Sequence, residues 1–339
     1  MDLVFLGTGG SVPTARRATA CLLARVGGER LLFDCGEGSQ RQMHRSVGLV
    51  ALDEIYITHF HADHYLGIPG LLKTYDLQDR ERELRVIGPP GLIELFKALK
   101  RIFGRLAYEV ELIELDEGEA IRHDGYEVRS FPVEHSTRAY GYALVEDERP
   151  GHFDPDAAER LGIAEGPDFG RLQRGEEVQG RDGVVTPDQV MGETRAGRKV
   201  VVTGDTAPCE MTRLAAHRAQ VLVHDGSFAD EELGRALETG HSTARQAAEL
   251  ARAAEATMLA LVHISSRYDV REVLAEAREA FEPTIAPRDF DLIEVPFPER
   301  AAPRLVEGGA RHQRRPEAQA TPEAPDAEAE VRSGPFEAG

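Results

Sequence analysis

Short, largely apolar runs punctuate the chain, each five to eight residues long and most containing or ending on Gly, Pro, Asp or His. Leu3–Gly7 (LVFLG), Leu31–Gly36 (LLFDCG), Glu54–Phe60 (EIYITHF), Leu84–Pro89 (LRVIGP), Tyr126–Val133 (YEVRSFPV), Lys199–Asp205 (KVVVTGD), Gln220–Gly226 (QVLVHDG) and Met258–Ser265 (MLALVHIS) predict strands. Between them lie stretches whose apolar residues recur at spacings of three and four. Gly91–Phe103 (GLIELFKALKRIF), His241–Ala256 (HSTARQAAELARAAEA) and Val270–Phe281 (VREVLAEAREAF) predict helices. Strands and helices interleaved in this way predict a layered α/β fold. No short-period repeat is visible, and no apolar run approaches the roughly 18 residues of a membrane span.

Two segments break the pattern. Residues 146–189 are dense in Gly, Pro and charge, yet sit between two predicted strands. A loop of that length inside a folded domain is either functional or a tolerated surface insertion. From about residue 301 the chain turns to Pro, Ala and Glu with almost no aliphatic residues. We expect a folded domain over 1–300, with 146–189 as an inserted arm, followed by a disordered acidic tail over 301–339.

The formal charge of the chain is −19. The tail accounts for only −2 of it, so the acidity belongs to the folded part. A globally basic nucleic-acid-binding surface is excluded, while a local basic groove is not. Three widely spaced cysteines, Cys21, Cys35 and Cys209, lack any Cys-x-x-Cys pair. They argue against a disulfide framework and a zinc knuckle, and for a reducing cytoplasm.

Directly after the run EIYIT come His59, His61, Asp63 and His64. His59 and His61, two apart, share one side of an extended backbone, and Asp63 and His64 then fall at the start of a helix. Imidazole and carboxylate together suit Zn²⁺ with an open position. A run of surface histidines is the plainer alternative, but this one follows a strand that reads as buried. Four donors within six residues suggest two adjacent ions. Further ligands are sought at the ends of other strands, where α/β folds gather their sites. His135 follows VRSFPVE, Asp205 follows KVVVTG and His263 follows MLALV. Singly, each could be a structural histidine or a helix-capping acid.

The order His-x-His-x-Asp-His, His, Asp, His resembles the metallo-β-lactamase superfamily. FLGTGGSVPT, LLFDCGEGSQRQM, DHYLGIPGLL, GDTAPC, GHST and HISSRY resemble, within it, the ribonuclease Z family of tRNA 3′-end endonucleases. The likeness runs from residue 1 to about 297, and HISSRY is its most specific part. It implies an αββα sandwich of the metallo-β-lactamase type with an inserted flexible arm. It also implies two Zn²⁺ per chain, with Mn²⁺ or Fe²⁺ as other candidates. One ion would take His59, His61 and His135, the other Asp63, His64 and His263, with Asp205 bridging. Metal-activated hydroxide would attack the phosphodiester, Asp63 serving as proton acceptor and His241 of GHST standing near the leaving oxygen.

Other roles follow from the same likeness. Asp225 stands where many relatives have the Glu of His-Glu-Ala-Thr, and would orient His241 across a shorter reach. Ser242 or Thr243 could cap the helix that follows. Arg267 would clamp a phosphate, although a structural ion pair is as natural a reading of the residue alone. Arg17 keeps half of an Arg-Asn pair whose second position is Ala18 here. The arm pattern GPDFGRLQRGE offers Arg171 and Arg174 for tRNA backbone contact, amid many acids. Precursor tRNA is then the expected partner, with the protein a cytoplasmic homodimer that makes no membrane contact. Two rivals remain: a phosphodiesterase or arylsulfatase of the same fold acting on small esters, and a non-catalytic RNA-binding or scaffold protein.

Overall fold

The computed structural model describes residues 1–310. Its first half builds one sheet in chain order: β1 (Asp2–Gly7), β2 (Cys21–Val26), β3 (Glu29–Phe33), β4 (Glu54–Tyr56), β5 (Leu84–Gly88) and β6 (Val110–Glu114). A second sheet takes β7 (Ala120–His123), β8 (Tyr126–Pro132) and β9 (Tyr140–Glu146). After an excursion carrying β10 (Val178–Gln179) and β11 (Val184–Val185), it adds β12 (Lys199–Val202), β13 (Val221–Asp225), β14 (Met258–Val262) and β15 (Thr284–Ile285). The chain then returns to the first sheet with β16 (Leu292–Glu294) and β17 (Arg304–Val306). The orders are β17-β16-β1-β2-β3-β4-β5-β6 and β15-β14-β13-β12-β9-β8-β7. In each sheet a run of four neighbouring strands is parallel, β3 to β6 and β12 to β15.

Helices α1 (Ser39–Arg45), α2 (Ala62–Tyr65), α3 (Ile68–Leu77) and α4 (Leu92–Phe103) belong to the first half. The arm carries α5 (Pro155–Arg160) and α6 (Pro167–Gln173), and the second half α7 (Glu210–Ala215), α8 (Leu233–Thr239), α9 (Ala244–Ala253) and α10 (Val270–Ala280). Strand alternation gives each sheet two apolar faces. Leu3, Phe5, Phe33, Tyr56, Tyr142, Val200 and Val223 meet between the sheets. Leu23, Ile55, Leu71, Leu72 and Phe96 pack the first sheet under its helices, and Leu222, Ala247, Ala251, Leu259 and Ala277 the second. This is the αββα sandwich, with every predicted strand and helix present. Among the described residues no helix is long and apolar enough to cross a membrane.

Two boundaries differ from expectation. Leu305 and Val306, placed in the tail on composition, pair with Ile293 and Leu292, and Ala310 is fully buried. The sheet therefore continues past residue 300; the remainder of the tail, residues 311–339, lies outside the described residues. The arm is not an unstructured loop. Ala158, Ile163, Leu172, Val178, Val185 and Val190 form a small core of their own. Its two strands run together as far as the Arg149–Arg195 bridge, so the excursion closes beyond residue 189.

Candidate metal centre

The parallel strands deliver their C-terminal ends to one edge of the sandwich, and the chemistry collects there. His59, His61, Asp63 and His64 occupy the loop and short helix after β4; His135 follows β8, Asp205 follows β12 and His263 follows β14. The β4 loop is tied across to the second sheet. Tyr142 Oη donates to the Ile57 carbonyl (2.8 Å) and the Tyr140 N–H to that of Thr58 (2.9 Å). Gly204, at φ +65°, brings the backbone before Asp205 against Thr58, where an added Cβ would lie 2.7 Å from the threonine side chain. Only glycine fits that turn.

Two donor groups result. His59, His61, His135 and Asp205 have ligand atoms within 4.8 Å of one another, and so do Asp63, His64, Asp205 and His263. Asp205 belongs to both. His59 Nε2 lies 3.8 Å from Asp205 Oδ2, His64 Nε2 3.3 Å from Oδ1, and His263 Nε2 3.3 Å from Oδ2 and 3.2 Å from Asp63 Oδ2. His135 Nε2 faces His61 Nδ1 at 3.1 Å.

Whether this set suits cations can be read from its unpaired atoms. His59 Nε2, His64 Nε2 and Asp205 Oδ1 are buried without a hydrogen-bond partner. Orphan polar atoms are costly in a folded interior, and three gathered in these two donor groups mark a place built for positive charge. Mixed imidazole and carboxylate donors suit zinc and similar divalent ions. In the protein alone, burial opposes charge on His64, but Asp205 and Asp34 outweigh it and hold the imidazole well above its ordinary pKa. Burial likewise opposes charge on Asp205, and His263 and His64 outweigh it, driving the carboxyl well below its usual range. A third grouping of Asp205, Asp225, His241 and His263 is geometrically compact. Its Asp225 and His241 are already engaged with each other, so we read that pair as a hydrogen bond.

Four of the five candidate rings, those of His59, His64, His135 and His263, are held from behind, in ways the sequence did not announce. His64 Nδ1–H donates to Asp34 Oδ2 (2.7 Å), and Asp34 also accepts from the Thr58 N–H (2.8 Å) and hydroxyl (2.9 Å). His135 Nδ1–H donates to the Gly240 carbonyl (2.7 Å). Thr58 Oγ1 meets His59 Nδ1 at 3.0 Å, and Ser227 Oγ meets His263 Nδ1 at 2.8 Å. Such partners fix the tautomer so that the opposite nitrogen keeps its lone pair for a metal. Ser11 N–H donates to Asp63 Oδ2 (3.0 Å). Ser11, Asp34 and His263 are all non-glycine residues at positive φ (52°, 56° and 61°), backbone strain gathered at one place.

His241 stands beside the second group, its ring stacked on His263 with centroids 5.3 Å apart. Its Nδ1–H donates to Asp225 Oδ2 (2.7 Å), so the shorter acid does reach. Burial would lower the imidazole pKa, but Asp225, aided by Asp205, pushes it up to about 9. Ser227 Oγ, 2.6 Å from Asp225 Oδ1, and the Thr206 N–H hold that carboxylate. Thr243 caps α9, accepting from the Gln246 N–H while Gln246 returns the bond.

The four arginines are not gathered here. Arg17 turns inward, donating to Thr8 Oγ1 (2.6 Å) and the Pro287 carbonyl (2.9 Å), and so braces the loop that carries Ser11. Arg267 is half-exposed, 3.6 Å from Glu232. Arg171 pairs with Asp168 and Glu176, and Arg174 with Glu176.

Comparison with known proteins agrees with this layout. The family described as Anti-Pycsar protein Apyc1 matches residues 1–151, and the Beta-lactamase superfamily domain matches residues 181–264. The ribonuclease Z of Halorubrum lacusprofundi is 49% identical over 305 residues, covering 88% of this chain and 98% of that one. That of Methanosarcina mazei is 46% identical, with 88% and 99% covered. Among solved structures, the short form of human tRNase Z superposes with a TM-score of 0.63 at 25% identity, over 88% of this chain and all of that one. With relatives this similar along almost their whole length, the chain belongs to the ribonuclease Z family, hydrolytic endoribonucleases of the metallo-β-lactamase fold.

Proposed function

We propose that the protein removes 3′ trailers from precursor tRNA, hydrolysing one phosphodiester at a centre holding two zinc ions. The observation that carries this reading is Asp205 shared between two histidine-rich donor groups, in a chain whose relatives of 46–49% identity are named ribonuclease Z. His59, His61 and His135 would hold one ion, Asp63, His64 and His263 the other, with Asp205 between them. When bound, the ions supply charge that offsets that of the phosphodiester and lowers the pKa of water enough for attack at neutral pH.

The chain's own groups handle the protons. Asp63 Oδ2, steadied by the Ser11 N–H, accepts the proton of the attacking water. His241 is held through Nδ1 by Asp225, which leaves Nε2 to protonate the leaving oxygen. Asp225 favours the protonated imidazole, which suits a proton donor. Arg267 offers a guanidinium to a phosphate near this edge. The αββα body carries the centre, while the arm grips the tRNA away from the cut. Arg171 and Arg174 would exchange their carboxylate partners for phosphates, so binding is strongly salt-dependent. We take the working form to be a cytoplasmic homodimer in which the arm serves the partner's site.

The test is to incubate metal-assayed protein with a precursor tRNA carrying a 3′ trailer, beside an Asp63→Ala control. One cut at the trailer boundary, lost in the control, with about two metals per chain, is expected. Turnover of small phosphodiesters or sulfate esters with the RNA left intact would replace this reading by a small-ester hydrolase.

A further inference from the structure

We infer that Phe297 and Glu299 are positioning residues that lock the root of the arm to the body, and so set how tightly the protein holds a long RNA substrate. The inference rests on the arm's RNA-gripping role proposed above. The arm leaves the second sheet after Glu146 and re-enters it at Lys199, its two strands bridged at Arg149–Arg195 and again at Phe153–Met191. Phe297 lies between β16 and β17, on the connection joining these two strands of the first sheet. Its ring is faced by guanidiniums from both strands of the root. Arg149 of the outgoing strand stands 3.5 Å from the ring centroid and Arg198 of the incoming strand 4.2 Å.

Glu299 completes the lock. It accepts from Arg149 through both oxygens (2.9 and 2.8 Å) and lies 3.5 Å from Arg195. Arg149's hydrogen bonds hold the Glu299 carboxyl down to about 2, so it is charged at any physiological pH. Arg149 also donates to the Ala196 carbonyl (3.1 Å), and Arg198 to that of Val295 (3.1 Å) and to Glu146. Thus both root strands and the C-terminal segment converge on one aromatic ring and one carboxylate. None of these groups belongs to the donor groups of the metal centre, and Phe297 and Glu299 themselves meet the root through Arg149, Arg195 and Arg198. Cation–π contacts add to charge-assisted hydrogen bonds, which are stronger than neutral ones; here a single Arg149 nitrogen, Nη2, reaches both Glu299 oxygens. A lever pinned at its root by a few such contacts changes direction when they go.

The experiment compares wild type with Phe297→Leu/Glu299→Gln and with Phe297→Tyr, on the full chain. Tyrosine keeps the ring, and a cavity of about 400 Å³ beside it has room for the hydroxyl. Three quantities are read: kcat and KM on trailer-bearing precursor tRNA, kcat/KM on bis(4-nitrophenyl) phosphate, and amide hydrogen exchange over residues 147–198. In the double variant we expect exchange at the root to quicken and KM for the RNA to rise about tenfold, equivalent to about 1.4 kcal/mol of binding. Its kcat and its small-diester turnover should stay within about twofold, and Phe297→Tyr should behave as wild type. Unchanged exchange at the root would overturn the lock, as would an equal loss on both substrates. Faster exchange in a protein whose wild type does not cut precursor tRNA would support the lock while removing the RNA reading above.

Discussion

Asp34 offers a sharp test of how the metal centre is prepared. It is 4% exposed and accepts three hydrogen bonds, from His64 Nδ1–H and from the Thr58 N–H and hydroxyl. Asp34→Asn keeps the shape and tolerates the left-handed backbone, but turns one oxygen into a donor. If the amide oxygen stays with the Thr58 N–H, the NH₂ faces His64 Nδ1. The ring must then carry its proton on Nε2, 3.3 Å from Asp205 and 3.5 Å from Asp63, where a cation would sit. If the amide turns over, the buried Thr58 N–H loses its partner at a cost of about 1–3 kcal/mol. The first arrangement is cheaper, because Nε2–H can donate to Asp205. The metal-free variant should be less stable than the wild type, having lost a charge that helps keep His64 protonated, and its metal affinity should fall about 10–100-fold, which is about 1.4–2.7 kcal/mol. The assay is competition for zinc between apo-protein and a chromophoric chelator, with the His64 tautomer read by ¹⁵N NMR. A variant that binds zinc within about twofold of wild type, its Nδ1 still protonated, would refute the reasoning.

Three further outcomes are expected. His241→Ala should lower kcat on precursor tRNA by about 10²–10⁴-fold with metal content unchanged, measured by single-turnover cleavage beside metal analysis. Thr243→Ala removes the cap of α9 and half of its reciprocal bond with Gln246; it should cost about 0.5–2 kcal/mol in chemical denaturation. Glu146 is half-buried, and burial would raise its pKa, but hydrogen bonds and charge from Arg198 outweigh this and lower it. A carboxyl depressed in the folded state contributes stability above its unfolded pKa of about 4.3 and loses it as pH falls through the folded value. Glu146→Gln should therefore be less stable than wild type at neutral pH, with the gap closing in acid, as read from denaturation midpoints across pH.

The strands and the clustering of the candidate metal-binding residues share one signal: the candidates stand where apolar runs stop, and such ends converge at one edge of an α/β fold. Asp34 ends the run LLFDC in the same fashion, yet its role was not legible. Whether a strand-end acid meets a cation or a ligand's far nitrogen depends on His64, thirty residues away in sequence. Ser227, the Ser11 N–H and the Gly240 carbonyl carry no pattern at all, being a common hydroxyl and two backbone groups placed by their turns. The arm misled because its apolar residues are sparse and irregularly spaced, enough for a small core but too few for any periodicity. Arg17 could be identified from its neighbours, but its direction depends on Thr8 and Pro287, which meet it only in the folded chain.

The ligands come from both halves of the sandwich: four from the loop after β4 in the first sheet, three from strand ends of the second. An ion held by this set would therefore be a cross-link between two layers that otherwise meet through apolar packing and a few hydrogen bonds, such as those from Tyr142 and Tyr140. At free ion a hundredfold above its dissociation constant, a single site adds about 2.7 kcal/mol to folding. If the centre is loaded as proposed, supply of the ion would govern how much enzyme exists as well as how fast each molecule works. A newly made chain that goes without it has looser layers and is the first offered to proteases. Scarcity of the ion would thin the population before slowing the survivors.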